Sequence, residues 1–257
     1  MGFSEQQMLR YARHIVMPEV GGTGQAKLLS SSVLVIGAGG LGSPLLLYLA
    51  AAGVGRLGVV DHDTVDLSNL HRQIAHPTRN VGRTKTESAE QSVKALNPDI
   101  EMNLHEEHLT AANAMSLISD YDLVADGSDN FATRTAVHEA CFQAKKTLVS
   151  AAAQGVEGQL STFKAHLGPP HPCYRCVFPE AAPDDLIPSC AEGGVLGPVV
   201  GVMGSLQAIE VVKELISQGD SLSGKLLLYD ALATAFTRID VKRRPACVLC
   251  GNSVRDA

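Results

Sequence analysis

The stretch Val33-Leu-Val-Ile-Gly-Ala-Gly-Gly-Leu-Gly42 decides the fold, because an apolar run passes directly into a glycine loop. A second apolar run, from Leu57 to Val60, ends at Asp61. A strand, a glycine turn, a helix and an acidic residue about 20 positions further on form a dinucleotide-binding fingerprint. The glycines allow a tight turn, the helix N-terminus attracts phosphate, and the acid accepts ribose hydroxyls. We predict a nucleotide site here, and a tight turn without a ligand is the alternative.

The apolar pattern predicts a single α/β domain over residues 1–257, in three parts. Residues 1–30 have helical spacing, broken by Pro18 and Gly21-Gly22, and form an N-terminal helical arm. In residues 31–155, short apolar runs alternate with helices, which predicts a parallel sheet with right-handed crossovers. Residues 156–257 lose that alternation. The predicted fold class is a Rossmann-like, doubly wound, mostly parallel sheet that C-terminal antiparallel strands extend.

Composition excludes several classes of function. The chain has 257 residues, 45% of them hydrophobic, and a formal net charge of −6. Without a long basic run, this acidic balance argues against nucleic-acid binding. The sequence has no uninterrupted apolar stretch of about 20 residues, the length that a membrane helix needs. The N-terminus also lacks the pattern of a secretory signal, so we expect a cytoplasmic protein.

Two cations follow the acidic residue of the fingerprint. Arg72 lies in Ser68-Asn-Leu-His-Arg-Gln73, and Lys85 comes shortly afterwards. Two cations beside a helix N-terminus suit a triphosphate that is attacked at its α-phosphate, because negative charge builds on the phosphoryl oxygens. The alternative is that both are solvated surface charges.

Two acidic residues follow the next short apolar run. Asp126 and Asp129 flank a Gly-Ser turn, and Asn130 comes directly after them. Carboxylates at a strand end can hold Mg²⁺ against phosphates. The alternative is that Asp129 or Asn130 caps the following helix.

Four of the six cysteines form two Cys-x-x-Cys pairs, at positions 173 and 176 and at positions 247 and 250. Four thiolates suit a structural tetrahedral zinc, which would attach the tail to the loop near residue 173. Disulfides and a redox dithiol are the alternatives.

Cys190 lies in a glycine-rich stretch and is a candidate nucleophile or persulfide acceptor, unless it is a thiol without a role. Cys141 follows a helical apolar pattern and is predicted to lie in the core.

Taken together, these motifs resemble the ThiF/MoeB/HesA family, bacterial relatives of ubiquitin-activating enzymes. The resemblance extends over nearly the whole chain. The residues and motifs that carry it are Arg13, Gly37-Ala-Gly-Gly-Leu-Gly42, Asp61, Asp63, Ser68-Asn-Leu-His-Arg-Gln73, Lys85, Asp126-Gly-Ser-Asp-Asn130, both cysteine pairs, Cys190 and Gly197-Pro-Val-Val-Gly-Val-Met-Gly204.

The resemblance implies an adenylyltransferase that uses ATP and Mg²⁺. Its substrate would be the C-terminal glycine of a ubiquitin-like sulfur carrier protein of the MoaD or ThiS type, in molybdopterin or thiamine biosynthesis. The carrier carboxylate is already a nucleophile, so catalysis reduces to positioning and charge neutralisation. Family members are homodimers, and residues 156–257 would form the carrier-binding and zinc half.

The resemblance also implies a role for each matching residue. Arg13 would reach the neighbouring subunit's site, Asp129 would ligate Mg²⁺, and Cys190 would be a possible sulfur relay. Arg72 and Lys85 would contact phosphates. The implied nucleotide-binding set is Gly37, Gly39, Gly40, Gly42, Asp61, Asp63, Asn69, Arg72, Gln73, Lys85, Asp129 and Asn130, and the implied Zn²⁺ ligands are Cys173, Cys176, Cys247 and Cys250.

One departure from the family concerns sulfur delivery. Some relatives carry a C-terminal rhodanese domain, whereas this sequence stops at Ala257. We therefore expect a separate persulfide donor, or a chain that makes only the acyl-adenylate. Other functions stay open: an NAD-dependent oxidoreductase, a tRNA-modifying relative that activates a small carboxylate, and a zinc-stapled dimeric scaffold that binds nucleotide without turnover.

Overall fold

One mixed sheet of eight strands organises the chain, in a computed structural model that describes residues 2–179 and 193–251. The strands are β1 (Ser32–Ile36), β2 (Arg56–Val60), β3 (Glu101–His105), β4 (Leu123–Asp126), β5 (Thr147–Gln154), β6 (Glu157–Phe163), β7 (Lys225–Asp230) and β8 (Ala235–Asp240). Their order is β3-β2-β1-β4-β5-β6-β7-β8. Strands β1 to β5 pair in parallel, and β5 to β8 pair antiparallel. The predicted fold class is confirmed.

The helices join these strands and cover the sheet. They are α1 (Glu5–Arg10), α2 (Ala12–Ile15), α3 (Gly21–Ser30), α4 (Gly42–Ala52), α5 (Lys85–Leu96), α6 (Ala114–Ser119), α7 (Phe131–Gln143), α8 (Tyr174–Val177) and α9 (Gly197–Ile216), with 3₁₀ turns at Leu67–Asn69, Thr78–Asn80 and Ala165–Leu167. In the described ranges, no helix combines the length and the apolar character that crossing a membrane requires.

The core lies on both faces of the sheet, because successive strand residues point to opposite sides. Val33 and Val35 belong to the apolar cluster that contains buried residues of α4, α5 and α9. Leu34 and Ile36 belong to a second cluster with residues of α6 and α7. A strand that is apolar on both faces is typical of a sheet with helices on both sides.

The N-terminal arm differs from the sequence-based expectation. Gly21 was expected to interrupt the helical pattern, and instead α3 begins there. Gly21 has φ +60°, which glycine adopts without a Cβ penalty, so the chain can turn into the helix at that residue. A Cβ at Gly24 would lie 3.8 Å from the Ile216 side chain of α9, which is an ordinary contact distance, so the packing of α3 on α9 does not depend on glycine there. The tighter distance at Gly24 is 3.2 Å, to the Val20 side chain within the arm itself.

Candidate nucleotide site and metal centre

A cavity of about 370 Å³ lies beside the carboxyl ends of β1, β2 and β4. The strand order reverses between β1 and β4, and open α/β sheets bind ligands at such a switch point. Ten of the predicted nucleotide residues line this cavity, namely Gly37, Gly39, Gly40, Asp61, Asp63, Arg72, Gln73, Lys85, Asp129 and Asn130.

The glycine loop approaches the cavity through backbone that larger residues could not replace. Gly37 has φ +87°. A Cβ at Gly42 would lie 1.9 Å from the Gly37 carbonyl oxygen, and a Cβ at Gly40 would lie 3.0 Å from the Val200 side chain. Gly42 itself is outside the cavity lining, so its part is to close the turn. The N-terminus of α4, which attracts anions, follows this turn directly.

Helix α9 supports the loop from a distant part of the sequence. A Cβ at Gly197 would lie 2.3 Å from the His71 carbonyl oxygen, and one at Gly204 would lie 2.4 Å from the Leu41 carbonyl oxygen. Gly204 therefore allows α9 to contact the backbone of the glycine loop, and Gly197 allows it to contact the turn that carries Arg72. Val200, on the same helix, lines the cavity.

Asp61 contacts the glycine loop with its carboxylate. The Ala38 N–H donates to Asp61 Oδ2 at 2.8 Å, and the Asp63 N–H donates to Oδ1 at 2.9 Å. Each carboxylate oxygen keeps a second acceptor position, so the contacts leave capacity for ribose hydroxyls. Asp61 thus links the loop to the end of β2.

Lys85 and Asp63 form an ion pair at the cavity wall. Lys85 Nζ lies 2.6 Å from Asp63 Oδ2, and the Lys85 side chain is only 7% exposed. Partial burial raises the pKa of Asp63, but the hydrogen bond and charge of Lys85 outweigh it and lower the pKa overall. The pair therefore presents a fixed cation whose charge Asp63 balances in the absence of phosphate.

The turn after β2 presents Arg72 and Gln73 to the cavity. Arg72 Nη1 donates to the Ser68 carbonyl oxygen at 3.2 Å and contacts His71 Nε2 at 2.8 Å. Gln73 is buried, and its Oε1 has no hydrogen-bond partner within the described residues. Asn69 is outside the lining and supports the turn, because its carbonyl accepts from the N–H groups of Arg72 and Gln73.

The two acids at the end of β4 have different environments. Asp126 is 1% exposed, and its carboxylate accepts from the Ser128 N–H and the Ser150 hydroxyl. Asp129 is exposed at the cavity, where a carboxylate can reach a magnesium ion. Asn130 caps α7, since its Oδ1 accepts from the Thr133 N–H at 2.8 Å. Of the two acids, only Asp129 lines the cavity, and its role as a magnesium ligand stays a prediction.

The four paired cysteines meet in one buried cluster. Their sulfurs all lie within 4.8 Å of one another. Cys173 Sγ lies 3.4 Å from Cys247 Sγ, and Cys176 Sγ lies 3.5 Å from Cys250 Sγ. Four ligands about 2.3 Å from a tetrahedral zinc lie about 3.8 Å apart, so the cluster fits that ion. All four cysteines are free thiols, which argues against the disulfide alternative.

Arg13 lies away from this cavity, and the position of Cys190 is not described. Arg13 is exposed on α2 and is not part of the lining. A role in the site of a neighbouring subunit is compatible with that position and stays a prediction. Cys190 lies outside the residues that the structure describes.

Comparison with known proteins agrees with this arrangement. Residues 11–249 match the ThiF family. This chain belongs to the ThiF family.

Two named relatives of this ThiF-family chain differ in the share of their own length that the match covers. "Adenylyltransferase and sulfurtransferase MOCS3" from Sus scrofa is 50% identical over 249 residues, which cover 96% of this chain and 54% of that protein. The chain thus spans about half the length of the MOCS3 relatives. "Sulfur carrier protein adenylyltransferase" from Thermus thermophilus is 45% identical over 254 residues, which cover 98% of this chain and 94% of that protein.

A solved structure supports the fold of the ThiF-family chain. The crystal structure of E. coli MccB with AMPCPP and MccA has a TM-score of 0.83 and 21% identity, and the match covers 98% of this chain and 76% of that chain. The likeness extends over the parallel and the antiparallel parts of the sheet.

Several lining residues of the ThiF-family site were missed in the sequence. His62 and His108 line the cavity because they follow the ends of β2 and β3, and position after a strand was the available signal. Arg134, one helical turn beyond Asn130, is buried, and its Nη2 donates to the Ser128 carbonyl oxygen. Tyr174 also lines the cavity, and only the tertiary fold brings it there from its position beside the cysteine cluster.

Proposed function

We propose that this chain adenylates the C-terminal glycine of a ubiquitin-like sulfur carrier protein with ATP. The carrier would be of the MoaD or ThiS type, in molybdopterin or thiamine biosynthesis. The printed names of the two relatives support this proposal, since both are adenylyltransferases and one acts on a sulfur carrier protein.

The observation that carries the proposal is the charge pattern of the cavity. Arg72 and Lys85 line the same cavity as the glycine loop, and Asp129 lies there with an exposed carboxylate. Two cations and a metal-binding acid beside a helix N-terminus match a triphosphate whose α-phosphate is attacked.

The chemistry needs positioning more than proton transfer. A carboxylate oxygen of the carrier forms a bond to the α-phosphorus, and the bond from that phosphorus to the pyrophosphate oxygen breaks. No proton moves, and the products are an acyl-adenylate and pyrophosphate. Arg72 and Lys85 stabilise the charge on the phosphoryl oxygens. Mg²⁺ at Asp129 would supply further neutralisation of the leaving pyrophosphate.

The remaining assignments belong to the same proposal. Zn²⁺ on the four clustered cysteines would be structural, because four protein ligands leave no open position for a substrate. We propose a homodimer in the cytoplasm, in which Arg13 enters the partner's site. A separate persulfide donor and a sulfur relay through Cys190 stay predictions.

Carrier-dependent exchange of labelled pyrophosphate into ATP tests the function. We expect exchange with a carrier that ends in glycine and none with the same carrier lacking that residue. Arg72→Ala should lower the exchange rate about 100-fold or more, as removal of a charge-stabilising group does. Arg79→Ala is the matched control, because Arg79 is exposed and outside the cavity lining.

Two outcomes would contradict the proposal at different levels. Full exchange in the Arg72→Ala variant would remove the role given to Arg72. ATP binding without exchange, for any carrier that ends in glycine, would favour a nucleotide-binding scaffold instead.

A further inference from the structure

Ala38, within the glycine loop, is held through both of its backbone polar groups. Its N–H donates to Asp61 Oδ2 at 2.8 Å. Its carbonyl oxygen lies 2.8 Å from His76 Nε2, and His76 is 4% exposed. His76 comes 38 positions later in the sequence and is outside the cavity lining. The loop is therefore held from behind by a buried imidazole.

The partners of His76 determine which ring nitrogen carries the proton. A carbonyl oxygen only accepts, so Nε2 must carry the hydrogen that is donated to Ala38. Nδ1 then accepts from the Ser88 hydroxyl at 3.0 Å. The Asn80 amide donates to the same hydroxyl oxygen at 2.9 Å. Since Ser88 and Asn80 are also buried, this chain of hydrogen bonds fixes one tautomer and one ring orientation.

Burial also keeps this imidazole neutral. Removal from water is the largest effect and lowers the pKa of His76. The hydrogen bond to the Ala38 carbonyl raises it, Lys85 lowers it and Asp61 raises it, and the pKa is lowered overall. The neutral ring has one donor, and that donor is used on the loop.

The geometry of the peptide bond connects this contact to the cavity. In a trans peptide unit the carbonyl and the following N–H point in opposite directions. When His76 holds the Ala38 carbonyl, the Gly39 N–H of the same unit points away from His76. Gly39 lines the cavity. The hydrogen bond behind the loop thus sets the direction of a backbone donor at the ligand side.

We propose that His76 is a positioning residue for phosphate binding, which orients the Gly39 N–H toward the phosphates of a bound nucleotide by holding the Ala38 carbonyl. This inference rests on the proposed function only in taking ATP as the ligand. It predicts a role in phosphate affinity for a residue that the ligand does not touch.

Calorimetric titration without any carrier tests the proposal, with ATP and adenosine as the two ligands. In the full chain, His76→Ala should weaken ATP binding about tenfold, the value of one well-placed hydrogen bond. Adenosine binding should stay within about twofold of the wild type, because adenosine has no phosphate for the Gly39 N–H to meet. His76→Gln, whose amide can donate to the Ala38 carbonyl, should restore most of the ATP affinity.

His105→Gln is the matched control. His105 Nε2 contacts the Tyr121 hydroxyl at 3.0 Å, and His105 is half-buried and outside the cavity lining. Its loss should leave both affinities unchanged. Equal weakening of ATP and adenosine in His76→Ala would indicate general loosening of the site and would overturn the proposal, as would ATP affinity equal to the wild type.

If His76→Ala fails to fold, Ser88→Ala provides the test. It keeps the imidazole and removes the hydroxyl that selects the Nε2 tautomer. ATP affinity should then fall about threefold with adenosine affinity unchanged, and an unchanged ATP affinity would be contradictory. Failure of the proposed function looks different, since the wild type would then not bind ATP or would bind it without carrier-dependent exchange.

Discussion

His138 is a buried base whose hydrogen bond joins α7 to the segment beside the cysteine cluster. It is 3% exposed, and its Nε2 accepts from the Tyr174 N–H at 3.2 Å. Burial, and then the charge of Arg175, lower the pKa of His138 from 6.5 to about 3. The native chain therefore excludes a proton that the unfolded chain takes up below about pH 6.5.

We expect this histidine to make stability depend on pH in a defined window. Its contribution is fully present above pH 6.5 and is lost as the pH falls, by about 1.4 kcal/mol per pH unit. Between pH 6.5 and 5 the wild type should lose about 2 kcal/mol more unfolding free energy than His138→Gln, measured by urea denaturation. His108→Gln, at an exposed position, should keep the wild-type dependence. Parallel pH curves for all three proteins would contradict the assignment.

At the scale of elements, the junction of β1 and α4 depends on Gly42. A Cβ there would lie 1.9 Å from the Gly37 carbonyl oxygen, which belongs to the backbone and cannot move aside cheaply. Gly42→Ala should therefore lower the unfolding free energy by about 3 kcal/mol and weaken ATP binding. Gly201→Ala in α9 is the control, because a Cβ at that position has no atom within 4 Å. Helix propensity should leave that variant unchanged or up to about 1 kcal/mol more stable. A Gly42→Ala protein as stable as the wild type would show that the loop relaxes.

The sequence predicted those elements whose boundaries depend on local residues. Strand β2 ends at Val60, where the apolar run of the sequence ends, and Thr84 caps α5 by accepting from the Glu87 N–H. Local patterns also pointed to Arg72, Lys85 and the glycine loop, which line one cavity; their contacts with phosphates stay a prediction. The separate environments of Asp126 and Asp129 could not be predicted from the sequence, because both acids lie at the end of one short strand. Which acid turns into the core depends on Ser150, on the neighbouring strand.

Contacts between distant segments of the chain could not be predicted from the sequence either. His76 reaches Ala38, and Tyr174 reaches the cavity, only after the chain has folded. Hydrophobic period and turn residues report local conformation, and they carry no information about which side chain crosses to another segment. The two Cys-x-x-Cys spacings did suggest that the cysteine pairs meet, because four thiolates in two such pairs are typical of a zinc site.

At the scale of the whole molecule, zinc should hold the segment at Cys173 to the segment at Cys247. Burial and the neighbouring thiols raise the pKa of Cys173, so zinc must displace protons when it binds. Chelation without reductant should lower the melting temperature by about 10 °C, the size expected for a loss of about 3 kcal/mol. Cys247→Ser should lose the metal, whereas Cys141→Ala, in the α7 core, should keep one zinc per chain. Metal analysis that finds well under one zinc per wild-type chain would reject the assignment.

The proposed composite site of a homodimer can be tested by complementation. Arg13→Ala and Arg72→Ala chains should each be inactive alone. After subunit exchange, a mixed dimer has one site with both arginines intact, so about a quarter of the wild-type exchange activity should return. Native mass spectrometry of chains that carry tags of different mass is the control for exchange itself, because it shows the mixed dimer directly. If the mixed dimer forms and the mixture stays inactive, Arg13 does not act across the interface.

The contact of α9 with the glycine loop has a consequence for the order in which the protein is made. The fingerprint from β1 to Asp61 is synthesised early, but Val200 and Gly204, which support the loop, come about 160 residues later. A ribosome-bound chain that ends before α9 thus carries the complete nucleotide motif without its support. The ability to bind ATP should therefore appear late in synthesis, close to the moment when the cysteine cluster can also form.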